Sequence, residues 1–136
     1  MEIEFKVEGG DFTQAGYASS QVKKILKQLG IESSVIKRVV VALYEAEVNI
    51  VAHAYRGTIK AIFEVDGIKL FLEDEGPGIS DIKQAMVKGF STASKEVREM
   101  GFGAGMGLPN IQDNADEFTI ESEVGKGTKL NIFIKY

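Results

Sequence analysis

SVIKRVVVALYEAEVNIVAHAY, residues 34–55, is the longest stretch of the chain able to form one element, and what it becomes decides the fold. Its first half is apolar on most faces, as a buried helix would be, although the β-branched run Val39–Val41 also suits a strand. As a helix started by Ser33 or Ser34, it carries Glu45, Asn49 and His53 at a spacing of four on one face, with Ala46, Ile50 and Ala54 on the next. Glutamate and asparagine facing a core are costly unless something polar meets them. A hard cation carrying phosphates would meet both. Asn49 offers a neutral carbonyl oxygen to Mg²⁺, and Glu45 can orient or deprotonate a hydroxyl or a water beside it. The plain alternative is a solvated face on an amphipathic helix. Glu47 points elsewhere and reads as ordinary surface, and His53 reads as a structural residue bonding backbone near the helix end.

Outward from this helix the pattern alternates between two periods. Residues 2–8 set Ile3, Phe5 and Val7 against Glu2, Glu4, Lys6 and Glu8, a half-buried strand closed by Gly9-Gly10. Asp11 or Thr13 can cap a helix running to Leu29, with Val22, Ile25, Leu26 and Leu29 as its stripe and Gly30 as its stop. Thr58–Val65 and Ile68–Glu73 read as strands joined by the hairpin pair Asp66-Gly67. A short helix capped near Ser80 and a polar stretch from Phe90 to Met100 follow. A helix after Leu108 and a closing hairpin, Glu117–Glu123 with Thr128–Lys135, complete the chain. The order implies one domain over residues 1–136, an α+β two-layer sandwich: a mostly antiparallel sheet with helices on one face.

Three further stretches could carry chemistry. In GFGAGMGL, residues 101–108, four of eight positions are glycine, each costing roughly 0.5–1 kcal/mol against alanine in a settled element. The run passes straight into a helix start with Pro109 in its first turn, a place where unpaired amides and the helix dipole attract phosphate; a mobile surface loop is the bland alternative. In LFLEDEGPGI, residues 70–79, Asp74 ends a strand and Gly76 and Gly78 flank Pro77. That carboxylate can accept from an exocyclic amine such as adenine's while bare backbone admits the ring; an acidic turn is the alternative. In GKGT, residues 125–128, Thr128 either supplies a hydroxyl to the same pocket or belongs to a plain hairpin turn.

Composition narrows the classes. With 136 residues, 44% of them hydrophobic, the chain can bury a core without staples. It has no cysteine, so disulfides and thiolate metal sites are excluded, and its single histidine excludes a multi-histidine metal site within one chain. The acidic, alternating start is unlike a signal peptide, and no apolar run approaches membrane-spanning length, so a cytoplasmic protein without membrane contact is expected. Net charge −4 with scattered basic residues argues against nucleic acid as partner.

The boxes are specific through their order. Glu-x-x-x-Asn, then Asp-x-Gly-x-Gly, then Gly-x-Gly-x-Gly-Leu, then Gly-x-Gly-Thr resembles the ATP-binding domain of the GHKL superfamily, from about Ser34 to the C-terminus. The resemblance implies the Bergerat fold, ATP or ADP as ligand, Asn49 as the Mg²⁺ ligand, and Asp74 as the adenine acceptor, with Gly76, Gly78, Ile79 and Thr128 around it. It implies a phosphate lid made by Gly101, Gly103, Ala104, Gly105, Met106, Gly107 and Leu108.

Within the superfamily, histidine kinases carry lysine three residues after the asparagine and a separate phosphoacceptor histidine; here Ala52 takes the first position and the only histidine lies in the box. Glu45 four residues before Asn49 is similar instead to the bacterial anti-sigma-factor serine kinases and switch kinases, which implies Glu45 as general base toward a serine of a STAS-type antagonist or scaffold protein. Gly103 stands where sporulation-type members carry arginine, so a bound sigma factor is less expected than a STAS scaffold; Lys95 or Arg98 could meet the γ-phosphate instead. The alternative is a nucleotide-dependent protein-binding switch with little or no transfer. A homodimer through the edge strand that begins at Met1 is a further expectation.

Overall fold

The computed structural model describes residues 1–87 and 107–136. Among them, β1 (Glu2–Glu8), β2 (Arg56–Phe63), β3 (Gly67–Glu75), β4 (Glu117–Glu123) and β5 (Gly127–Lys135) form one sheet in the order β1-β2-β3-β5-β4. Each neighbouring pair is antiparallel, with β1 and β4 at the edges. α1 (Tyr17–Gln28), α2 (Ser33–His53) and α4 (Gly107–Asn114) pack into one core with the sheet, and the short α3 (Ile82–Ala85) follows β3. The α+β sandwich expected from the sequence is the fold.

Alternation decides which sheet face is covered. Phe5, Ile59, Leu72, Leu130 and Ile120 stand in one cross-strand row on the inner face, and all but half-buried Ile120 are buried. The opposite face carries ion pairs such as Lys60 with Glu2 at 3.3 Å, exposed and therefore worth under about 1 kcal/mol. α2 lies against the inner face through Val39, Leu43, Ala46 and Ile50. This explains why the valine run is helical: a β-branched residue costs a helix a few tenths of a kcal/mol, whereas burying a valine gains about 1.5 kcal/mol or more.

The start of α1 differs from expectation. Asp11 and Thr13 bond each other (Thr13 Oγ1 to Asp11 Oδ1, 2.6 Å), Phe12–Gln14 make a 3₁₀ turn, and the helix proper begins at Tyr17. Its cap comes from another helix. The Glu47 carboxylate on α2 accepts from the Ala18 amide through Oε2 at 3.1 Å and from the Ser19 amide through Oε1 at 3.4 Å. Glu47 is thus only 2% exposed and is not surface, a correction to the sequence reading. Burial raises its carboxyl above the ordinary glutamate value, and the bonds from Ala18 and Ser19 oppose that rise. Gly30 ends α1 as expected, with Ile31 N donating to Leu26 O and Gly30 N to Lys27 O.

Two smaller expectations also shift. The β2–β3 turn centres on Val65-Asp66, since Glu64 N donates to Gly67 O at 2.9 Å and Gly67 already belongs to β3. Gly67 is needed for close approach, a Cβ there falling 2.5 Å from Ile134 O. α3 is capped by Asp81, not Ser80: Oδ1 takes the Gln84 amide at 3.0 Å, the carboxylate being one residue nearer the helix.

Removing the interhelical cap tests this account. Glu47→Ala leaves buried amides without an acceptor and is expected to cost about 2–3 kcal/mol in urea unfolding, while Glu47→Gln, which keeps an acceptor oxygen, costs less. An unchanged midpoint for Glu47→Ala would mean that Glu47 does not hold α1.

Candidate functional site

The core stops short of one end of the inner face. There the last turns of α2, the end of β3, the β4–β5 turn and the first turn of α4 converge on polar side chains instead of apolar ones. Asp74, next to last in β3, faces inward with Leu72 and Leu70. Its Oδ1 accepts the Thr128 amide hydrogen at 3.1 Å. Burial still holds the carboxyl above its ordinary value, with the Thr128 bond only partly opposing it. A carboxylate so placed gains from any further donor brought by a ligand.

Close packing brings its neighbours in. A Cβ on Gly127, where φ is +139°, would fall 2.0 Å from Asp74 O, so only glycine lets β5 begin against β3 here. Gly78 passes equally close to Glu123, and Gly76 lies against Ala54 at the end of α2. Ile79 donates its amide to Ser122 Oγ at 2.7 Å. Asp74, Gly76, Gly78, Ile79 and Thr128, singled out from separate stretches, thus form one cluster.

The second half of the site is the seam between α2 and α4. A Cβ on Gly107 would stand 2.9 Å from Asn49 Oδ1, so the first residue of α4 rests on the amide that the sequence marked for a metal. One turn before Asn49 on α2, Glu45 is half-buried, and burial raises its carboxyl above the ordinary range while a hydrogen bond from the Asn110 side chain opposes the rise. Asn110 on α4 in turn receives Asn114 Nδ2 at its carbonyl, 2.8 Å away. Leu108 is buried in the core and anchors the start of α4. His53, one further turn along α2, is held below the ordinary imidazole value by burial and is neutral near pH 7. Gly101, Gly103, Ala104, Gly105 and Met106, with Lys95 and Arg98, lie outside the described residues.

Two residues escaped the sequence reading. Ser122 follows Phe118 and Ile120 at a period of two, which marks it as inward-facing. Asn110 sits three positions from both Gly107 and Asp113, and its sequence carried no signal of a partner on α2.

Among the described residues, no group of three His, Asp or Glu side chains could hold a metal by itself. Asn49 could offer a hard cation one carbonyl oxygen, with the remaining donors coming from a ligand's own oxygens or from water. Nor is any helix of the described residues long and apolar enough to cross a membrane.

Comparison with known proteins identifies the family and the fold. Residues 11–134 match the family model of the histidine kinase-like ATPase domain. The serine/threonine-protein kinase RsbT of Bacillus subtilis (strain 168) is 35% identical over 112 residues, covering 79% of this chain and 78% of that protein. The anti-sigma F factor of Thermoanaerobacter sp. (strain X514) is 36% identical over 121 residues, 85% of this chain and 81% of the relative. The mycobacterial sensor histidine kinase MprB shares the fold at a TM-score of 0.56 and 14% identity, covering 98% of this chain and 97% of that one.

The tight seat of Gly127 gives a direct check. Gly127→Ala is expected to lower stability by about 2 kcal/mol or more in chemical denaturation, because strained φ and a backbone clash act together. A variant as stable as the parent would show that β5 does not start against Asp74 in this way.

Proposed function

The chain belongs to the histidine kinase-like ATPase domain family, and from that membership we propose that it is an Mg-ATP-dependent protein-serine kinase acting in a partner-switching circuit. The observation that carries the reading is the pairing on α2 of a half-buried Glu45, hydrogen-bonded by the Asn110 side chain, with Asn49, one turn apart and both facing α4. Its substrate is a serine of a STAS-type anti-sigma antagonist or scaffold protein, with a sigma factor as a possible further partner. Kinship with RsbT and with anti-sigma F factors supports this choice. We place the protein in the cytoplasm, and β1, an unpaired edge of the sheet, offers a surface for a homodimer.

In this reading Asp74 accepts from the 6-amino group of adenine, while Gly76, Gly78 and Ile79 wall the ring. The amides of the first turn of α4, at Gly107 and Leu108, face the phosphates together with the glycine run before them. Asn49 would hold magnesium, which when bound would neutralise phosphate charge. Glu45 takes the proton of the serine hydroxyl as its oxygen bonds to the γ-phosphorus; the bond from that phosphorus to the bridging oxygen breaks, and ADP leaves. Asn110 keeps the Glu45 carboxylate aimed. With one carboxylate, one metal and one helix start, positioning and charge neutralisation do most of the work, and slow turnover fits a regulatory switch.

Glu45→Ala separates chemistry from binding. Transfer of labelled phosphate to a STAS-domain substrate is expected to fall at least 100-fold, about the contribution of one general base, while the affinity for ADP in calorimetry stays within about twofold. A raised carboxyl must lose its proton before it can act as base. The parent's rate therefore rises with pH through a midpoint above the ordinary glutamate value, and the variant's profile is flat in that range. If Glu45→Ala transfers phosphate as fast as the parent, Glu45 is not the base. A parent that exchanges its partner between ATP and ADP without any transfer is a binding switch instead.

A further inference from the structure

Ser122 plays no part in the chemistry above, yet its hydroxyl is the most connected polar atom of the adenine corner. Its Oγ lies 2.7 Å from the amide nitrogen of Ile79, 3.1 Å from the carbonyl oxygen of Gly127 and 2.9 Å from Thr128 Oγ1. A hydroxyl has one hydrogen to give and two lone pairs to fill. The Ile79 amide can only donate and the Gly127 carbonyl can only accept. All three contacts are satisfied together in one arrangement: Ser122 gives its hydrogen to Gly127, and Thr128 gives its own to Ser122. The Thr128 amide hydrogen is already spent on Asp74 Oδ1, 3.1 Å away.

Thr128 is thereby left with lone pairs alone to offer a ligand. Asp74, beside it, likewise presents an acceptor. Building on the adenine site proposed above, we propose that Ser122 is a specificity-setting residue: by consuming the Thr128 hydrogen it makes this corner all acceptor, so that the base edge must bring donors. A 6-amino purine does so. A 6-oxo purine can turn its N1 hydrogen to Asp74, but its 6-oxygen then meets the Thr128 lone pairs and finds no hydrogen there. Ser122 also ties Ile79, on the loop after β3, to the β4–β5 turn, closing the wall on which the ring rests.

Without its acceptor, the Thr128 hydroxyl turns and becomes a donor. A hypoxanthine ring would then pair well, its N1 hydrogen facing Asp74 and its O6 facing Thr128. The experiment is calorimetric titration of the full chain with ADP and with IDP, in magnesium, for the parent, Ser122→Ala, Ser122→Cys and the double variant Ser122→Ala/Thr128→Ala. The parent is expected to prefer ADP. Ser122→Ala should bind ADP about tenfold more weakly and lose at least tenfold of the ADP-over-IDP ratio. Ser122→Cys, near in size but a poor acceptor, should move the ratio in the same direction and serves if the alanine variant does not fold. In the double variant the ratio should return toward the parent's, because no hydroxyl remains to donate. A loss of affinity equal for both nucleotides, or no loss, overturns the proposal and leaves the adenine site standing. A parent that binds neither nucleotide overturns the site itself, and the proposal with it.

Discussion

Everything in this structure hangs from α2, a helix that must be buried against the sheet on one stripe while carrying carboxylates on two others. Val39, Leu43, Ala46 and Ile50 seat it on the inner face. Glu47 then meets α1 and Glu45 meets α4, two residues apart in the chain but on opposite flanks. Each carboxylate is desolvated, and each finds a donor on the helix it faces. The difference lies in what surrounds them. Glu47 is closed off and takes the first amides of α1, a capping role normally filled by a residue just before the helix. Glu45 is only half-buried and keeps part of its surface in contact with solvent.

The same division holds along the sheet. Toward one end of the inner face the alternating residues are Ile134, Ile68 and Phe63, and the core is continuous. Toward the other end the same alternation delivers Asp74, Thr128 and Ser122. No change of backbone pattern was needed to make a site. The strands run on beneath the last turns of α2, and there polar residues replace apolar ones on the inner face. Glycines at 127, 78 and 76 let β3, the loop after it and the β4–β5 turn lie closer together than side chains would permit. This closeness lets a single serine hydroxyl on β4 reach both the loop after β3 and the start of β5.

The strand cluster and the helix seam thus belong to different parts of one frame. The cluster at Asp74 rests on strands and turns, fixed by hydrogen bonds among Asp74, Thr128, Ser122 and Ile79. The seam rests on two helices that touch through Asn49, Gly107, Glu45 and Asn110.

Periodicity in the sequence was enough to determine the strands, the long helix and the two-layer plan, because alternation and the 3.6-residue repeat are local properties that burial reinforces. Residue type and spacing also picked out Glu45, Asn49, Asp74 and Thr128, since polar groups placed where apolar ones belong are visible in one dimension. The partners of those groups were not. Glu47 looked like surface because a helix of itself does not tell which neighbour each stripe will meet, although its place among Leu43, Ile50 and Val51 carried the signal. The helix predicted from Asp11 or Thr13 started at Tyr17 because its cap came from another helix 28 residues away or more, beyond any local rule. Asn110 against Glu45, and Ser122 between Ile79 and Thr128, arise only when elements far apart in the chain are packed together. Hydrogen bonds between such elements are set by distance and direction in space, and these exist only once the fold has formed.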